Sequence, residues 1–187
     1  GNSLEMMSNI SSIKFYDISP FIQNKMARFP VKKGVSELEE NYPSLLKNQI
    51  RLLKKKSKTN LIVCDTEGTK TDGYDSFLDL SMFTLNSSLT KVAIADNKGD
   101  IYVLFAYPNL MDCKGKEIKI VFIEHQSGDE PNITNMRFGG IGKEQGKILY
   151  VTTKDSIYLY EFNFDERNCS TEEMENSLKP IFLFKSE

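Results

Sequence analysis

The sequence predicts an all-β, mainly antiparallel fold, and two stretches that repeat one pattern carry the prediction. The first runs Leu80-Ser-Met-Phe-Thr-Leu85, Lys91-Val-Ala-Ile-Ala-Asp96, a polar turn at Asn97–Asp100, Ile101-Tyr-Val-Leu-Phe105 and Ile118-Lys-Ile-Val-Phe-Ile123. The second runs Ile133-Thr-Asn-Met-Arg-Phe138, Ile148-Leu-Tyr-Val-Thr152, a polar turn at Thr153–Ser156, Ile157-Tyr-Leu-Tyr-Glu-Phe162 and Ile181-Phe-Leu-Phe184. Each is four short runs of β-branched and aromatic residues with period-2 alternation, and a tight turn separates the second run from the third. Four short antiparallel strands per repeat is the pattern of a β-propeller blade.

Taken from the N-terminus, Ile13-Lys-Phe-Tyr-Asp-Ile18 alternates as a strand. Its apolar-Lys-aromatic-aromatic-Asp-apolar shape resembles the third strand of a WD-repeat blade, with Tyr16-Asp17 in the Trp-Asp place. Residues 25–31 supply a fourth strand in this reading, so residues 1–31 are the end of one blade. Residues 32–75 break the pattern. They hold an acidic, helix-competent piece (Ser36–Leu46, interrupted at Pro43) and a basic piece (Arg51–Lys58). Leu45, Leu46, Ile50, Leu52 and Leu53 fit one helical face imperfectly. Asn60–Asp65 is strand-like. This region reads as a partly helical insertion between blades, whose ordering entropy little apolar burial would offset. On that reading, deleting Lys33–Lys58 leaves the blades folded, and trypsin cuts first among Arg51, Lys54, Lys55, Lys56 and Lys58. Residues 76–187 are two blades. Ile101 and Ile157 stand further apart than a blade of about 40–45 residues, and the excess fits the loops at 108–117 and 127–132. A closed propeller needs at least about four blades. The expectation is therefore a partial or fragmentary WD-repeat-like propeller, or an irregular set of sheets that the insertion completes. The opening Gly1-Asn2-Ser3, without methionine, fits a chain that begins mid-protein.

Composition narrows the chemistry. The 187 residues suffice for one core, and the 40% hydrophobic and 27% charged content is ordinary globular usage. A net charge of -2 gives no overall electrostatic case for nucleic acid. Cys64, Cys113 and Cys169 are scattered, without CxxC spacing, and read as reduced thiols in a cytosolic protein. No signal peptide or apolar run of spanning length is expected. The Asn-x-Ser/Thr triplets at Asn9, Asn86, Asn132 and Asn168 are therefore read as chance occurrences.

Leu61-Ile-Val-Cys-Asp65-Thr-Glu67-Gly-Thr69 is the one catalytic-looking string. A strand ending in Asp-x-Glu-x-Thr resembles the first motif of DnaQ-like exonucleases, in which carboxylates hold paired Mg²⁺ ions. Such chemistry needs further carboxylates and a His or Tyr base, and the single histidine, His125, is a near miss for the spacing. The string extended to Gly73 also resembles a nucleotide motif of dynamin-like GTPases. The upstream phosphate loop those enzymes require is missing from the sequence. Gly139–Lys147 is glycine-rich but reads as a hairpin between strands. The expectation is a non-enzymatic chain with no cofactor and no metal site. The basic residues Arg51, Lys54, Lys55, Lys56 and Lys58 remain as candidate contacts to a partner or to anionic lipid.

The segment Asn132-Ile-Thr-Asn-Met-Arg-Phe138, followed by a Gly-Lys loop and Ile148-Leu-Tyr-Val-Thr-Thr153, with Ser156-Ile-Tyr158 after it, resembles one blade of the vacuolar protein sorting subunit eleven family. Asp79–Leu85 with Lys91–Leu104 looks like that family's preceding blade, and Ser12–Ile18 like its "ile-lys-val-trp-asp-leu" strand. The resemblance covers these segments in the same order and excludes 32–75; Val151-Thr-Thr153 is its most distinctive part, and the rest is generic WD-repeat pattern. It implies an N-terminal propeller fragment of a HOPS and CORVET tethering subunit. Such a protein would be cytoplasmic and peripheral on endosomal, lysosomal or vacuolar membranes, with other tethering subunits as partners. The family's α-solenoid and RING zinc domain have no counterpart in this sequence, so their roles do not carry over. Any other WD-repeat interaction domain is the first alternative, and a DnaQ-like metal-dependent exonuclease using Asp65 and Glu67 is the second.

Overall fold

The structure, a computed structural model, describes residues 12–19, 40, 42–54, 60–64, 76–77, 80–113, 118–124, 133–140 and 145–186. They form three four-stranded antiparallel sheets. The second sheet is a meander of β5 (Leu80–Leu85), β6 (Lys91–Asp96), β7 (Ile101–Phe105) and β8 (Lys119–Ile123). The third is a meander of β9 (Ile133–Gly139), β10 (Ile148–Thr153), β11 (Ser156–Glu161) and β12 (Ile181–Lys185). These are the eight strands that the alternating runs predict. The all-β, antiparallel expectation holds. Among the described residues the sheets form a stack that does not close on itself.

The second sheet is the middle layer, and its alternation divides two cores. Val92, Ile94, Tyr102 and Leu104 face the first sheet, where they meet Ile13, Phe15 and Ile50. Ala93, Ala95, Ile101, Val103 and Phe105 face the third, where they meet Met136, Leu149, Val151, Tyr160 and Phe162. Strands β6 and β7 are therefore buried at every position, as expected of strands covered on both faces. Ala93 and Ala95 present small side chains to that core, and Phe105 packs edge-on to Phe162 at 5.7 Å.

The first sheet corrects the insertion reading. β2 (Leu46–Lys54) pairs with β1 (Ser12–Tyr16) on one edge and with β3 (Asn60–Cys64) on the other. β4 (Ser76–Phe77) pairs with Leu53 and Lys54. Positions 46 to 53 are thus strand, not α-helix. A single 3-10 turn at Pro43–Leu45 precedes the strand. Leu46 to Lys54 run as one extended strand instead. Ile50 is fully buried, and Asn48, on the same face, donates its amide to the Leu110 carbonyl at 3.1 Å. Cys113 lies beside that contact, buried, and its sulfur accepts from the same Asn48 amide at 3.4 Å. Residues 36–39 and 41 of the acidic piece and all of 25–31 lie outside the described residues.

Turn chemistry fixes the registers. Asn86 is buried at the β5–β6 turn, donating to Ser88 and Thr90 and accepting from the Lys91 amide at 2.9 Å. Gly146, in the hairpin between β9 and β10, rests on it with φ +85, and a Cβ there would lie 2.9 Å from the Asn86 amide nitrogen. Only glycine suits both the backbone and the space. Asp96 closes the β6–β7 turn, its Oδ1 accepting from the Lys98 and Asp100 amides at 2.9 and 3.0 Å.

Asp96 is buried, and that desolvation raises its pKa above 3.8 against the lowering effect of the turn amides. A carboxyl raised on folding binds its proton more tightly in the native state. Its contribution favours the fold at low pH and is lost as pH climbs from about the unfolded value through the folded one. Asp96→Asn keeps an acceptor for both amides and removes the charge. We expect its melting temperature at pH 7 to equal or exceed that of the wild type, with the difference shrinking toward pH 4. Asp96→Ala removes the acceptor as well and should cost about 1–3 kcal/mol. A wild-type advantage over Asp96→Asn that grows from pH 4 to pH 7 would contradict the assignment.

Candidate functional site

The described residues present two features suited to recognition: an uncovered apolar sheet face and a cationic corner pocket. The apolar face follows from the register of the third sheet. Alternation sends Leu149 and Val151 inward and Tyr150 outward. Tyr150 pairs with Leu159, and Leu159 with Ile181, in one row across the sheet. Thr152, Ile157 and Phe184 make the next row. Both rows reach from β10 to the edge strand, with Leu159 buried in the middle of the first. Tyr150, Ile157, Ile181 and Phe184 are all exposed, Phe184 the most at 59%. All five residues of β12 are exposed, and only Lys185 among them is charged.

The two outer edges are treated differently. The edge of β8 is covered by α1 (Thr171–Ser177), whose Glu175 carboxylate accepts from the Phe122 amide at 2.9 Å. This helix starts from a capping box in which Ser170 and Glu173 satisfy each other's backbone amides, and Met174 anchors it in the core. No strand pairs with the outer edge of β12 among the described residues. Soluble sheets usually blunt such edges with charge, proline or a covering element, and contiguous exposed apolar area marks interaction sites.

The pocket lies where β6 begins, β7 ends and the loop after β11 folds over. Thr90, Phe105, Ala106, Tyr107, Lys119, Glu166 and Arg167 line it. Lys119 donates to the carbonyls of Glu166, Arg167 and Cys169, which pins the loop. Lys91 pairs with Glu166 at 3.2 Å, and Arg167 stacks on the Tyr107 ring at 3.7 Å.

The basic candidates do not gather into this pocket. Arg51 is half-buried on β2, paired with Ser12 on one side and Val63 on the other. Lys54 ends the same strand opposite Asn60. Lys55, Lys56 and Lys58 lie outside the described residues, as do Asp65, Glu67 and His125 of the catalytic-looking strings. No group of metal-ligating side chains occurs among the described residues. No helix among them is long and apolar enough to cross a membrane. Sequence reasoning missed α1 and its edge-covering Glu175, although the Ser170-x-x-Glu173 box is a legible start signal. It also missed Arg167, since nothing local marks an arginine that stacks on a residue sixty positions away.

Comparison with protein-family models, curated proteins and solved structures finds no match to this chain.

Proposed function

We propose that the chain is part of a WD-repeat-like β-propeller and serves as a non-enzymatic interaction domain of a vesicle-tethering subunit in endosome-to-lysosome or endosome-to-vacuole transport. The observation that carries the propeller reading is the stacking of four-stranded antiparallel sheets, with the middle one buried on both faces. The way the second and third sheets meet supports it further. Their first strands, β5 and β9, lie against each other, while α1 packs against the outer strand β8. Blades that radiate from a common axis meet at their inner strands and part at their outer ones. The tethering assignment rests on the resemblance of the blade sequences to the vacuolar protein sorting subunit eleven family, with other tethering subunits as partners and membrane association through the complex. The uncovered face of the third sheet supports a binding role in any such assembly.

The test is capture of purified HOPS and CORVET subunits by the purified chain. Binding of at least one subunit is expected, and Ile157→Ser with Phe184→Ser should weaken it at least tenfold, since each truncation removes an anchor from a desolvated contact. Failure to capture any subunit would remove the tethering assignment. Capture unaffected by the double substitution would remove the third sheet's face as the contact.

A further inference from the structure

The corner pocket has a chemistry that the scaffold does not use. Its lining places two cations, Lys119 and Arg167, beside one carboxylate, Glu166. That carboxylate is already paired with Lys91 at 3.2 Å, so its charge is compensated locally. Lys119 spends its three N–H donors on three backbone carbonyls, which carry no formal charge to offset its own. The nearest other acid in the loop, Asp165, is turned into its own bend, accepting from the Arg167 amide at 3.1 Å and from the Asn168 side chain. The excess positive charge is local, because the chain as a whole carries -2.

Arg167 is the group that can act. Its guanidinium lies over the Tyr107 ring at 3.7 Å, and both residues are exposed. Contact with the ring face restrains where the guanidinium can sit while leaving its N–H groups available. Among the described residues no side-chain hydrogen bond or ion pair of this guanidinium is seen. A planar fork held this way has already lost much of its rotamer freedom, so less remains to be lost when it engages a ligand. The cavity beside it is about 140 Å³, close to the size that admits a benzene-sized group. Phe105 and Ala106, both buried, and Thr90 supply a mostly apolar lining. A ligand for this space combines a short apolar stem with a planar anion, and guanidinium forks match carboxylates in two parallel hydrogen bonds.

We propose that this pocket binds the carboxylate of an acidic side chain on a polypeptide partner, with Arg167 as the bidentate clamp, Tyr107 as its support and Lys119 as the fixed background charge. The proposal holds for any interaction domain and does not depend on the tethering assignment. N-acetylglutamate amide serves as the probe, with N-acetylglutamine amide as its uncharged isostere and inorganic phosphate as a second anion. Each is titrated into the isotope-labelled full chain and followed by nuclear magnetic resonance. The glutamate probe should shift the Arg167 Nε–Hε signal and the Thr90 and Ala106 amides saturably. The glutamine probe should bind roughly 10- to 100-fold more weakly, the factor expected for hydrogen bonds to a charged partner. Arg167→Lys, an exposed substitution that keeps the charge and loses the fork, should weaken the glutamate probe about tenfold or more, whereas Arg137→Lys on exposed β9 should not change it. Three results would overturn the proposal: equal binding of the two amides, unchanged binding in Arg167→Lys, or tighter binding of phosphate than of the glutamate probe at these signals.

Discussion

Tyr160→Ala is expected to lower the stability of the fold by about 3–5 kcal/mol, the cost of truncating a fully buried aromatic side chain. In a chain of this size that is a drop of roughly 10 °C in melting temperature. Tyr160 is 2% exposed and packs in the core shared by the second and third sheets, edge-on to Tyr158 at 5.7 Å. Removing its ring opens a cavity among Leu149, Val151 and Phe162, residues held by sheet registers that cannot collapse inward without breaking β10–β11 pairs. Burial, with a smaller contribution from Tyr158, also raises the Tyr160 hydroxyl pKa well above the tyrosine range, so the side chain stays neutral at any working pH. Tyr160→Phe preserves the ring and should cost less than about 1 kcal/mol, within the range of volume-conserving swaps. Equal melting temperatures for Tyr160→Ala and the wild type would mean that the third sheet does not pack on the second as described. Phe138, which the alternating pattern also marks as structural, is only half-buried beside Phe162 at 6.3 Å, so its truncation should cost less than that of Tyr160.

The strands of the second and third sheets were legible because local and tertiary demands agree there. Lys91–Asp96 and Ile101–Phe105 alternate between two cores, and both kinds of position are apolar, so strand propensity, turn chemistry and burial point the same way. The helix α1 was short enough that its capping box was the only signal, and a seven-residue helix buries one side chain, Met174, too few to show a period. β2 was misread for the opposite reason. Its sequence, Leu46-Lys-Asn-Gln-Ile-Arg-Leu-Leu-Lys54, puts a buried asparagine where a core strand would usually carry an apolar residue, and places Leu52 and Leu53 side by side. Neither period is clean, and helix propensity then tips the reading. What decides the strand is nonlocal. Asn48 finds its acceptors on Leu110 and Cys113, more than sixty residues away, and no window along the sequence contains them. The apolar outer face was visible as β-type residues in β10 to β12, but sequence alternation alone does not say that one of the two faces lacks a cover.

Deleting Lys33–Lys58, which an inter-blade insertion would tolerate, is therefore expected to abolish cooperative folding of the first sheet. The deletion removes all of β2, the strand to which β1, β3 and β4 are all hydrogen-bonded. It also removes Ile50 from the core it shares with Ile13, Phe15 and Leu104, and Asn48 from the Leu110 carbonyl. The faces of β6 and β7 that meet this core, among them Val92, Ile94 and Tyr102, would then face water, at a cost of about 25 cal/mol for each Å² of apolar surface uncovered. A point substitution isolates the same element: Ile50→Ala should cost about 2–5 kcal/mol, while Lys47→Ala, exposed on the same strand, should stay within about 0.5 kcal/mol. Arg51, hydrogen-bonded in the sheet between β1 and β3, should resist trypsin until the sheet opens. Urea unfolding of the deletion, the two point variants and the wild type is the decisive measurement. A deletion variant that unfolds at the wild-type midpoint with an undiminished slope, or early cleavage at Arg51 in the native state, would return residues 46–54 to the status of a dispensable insertion.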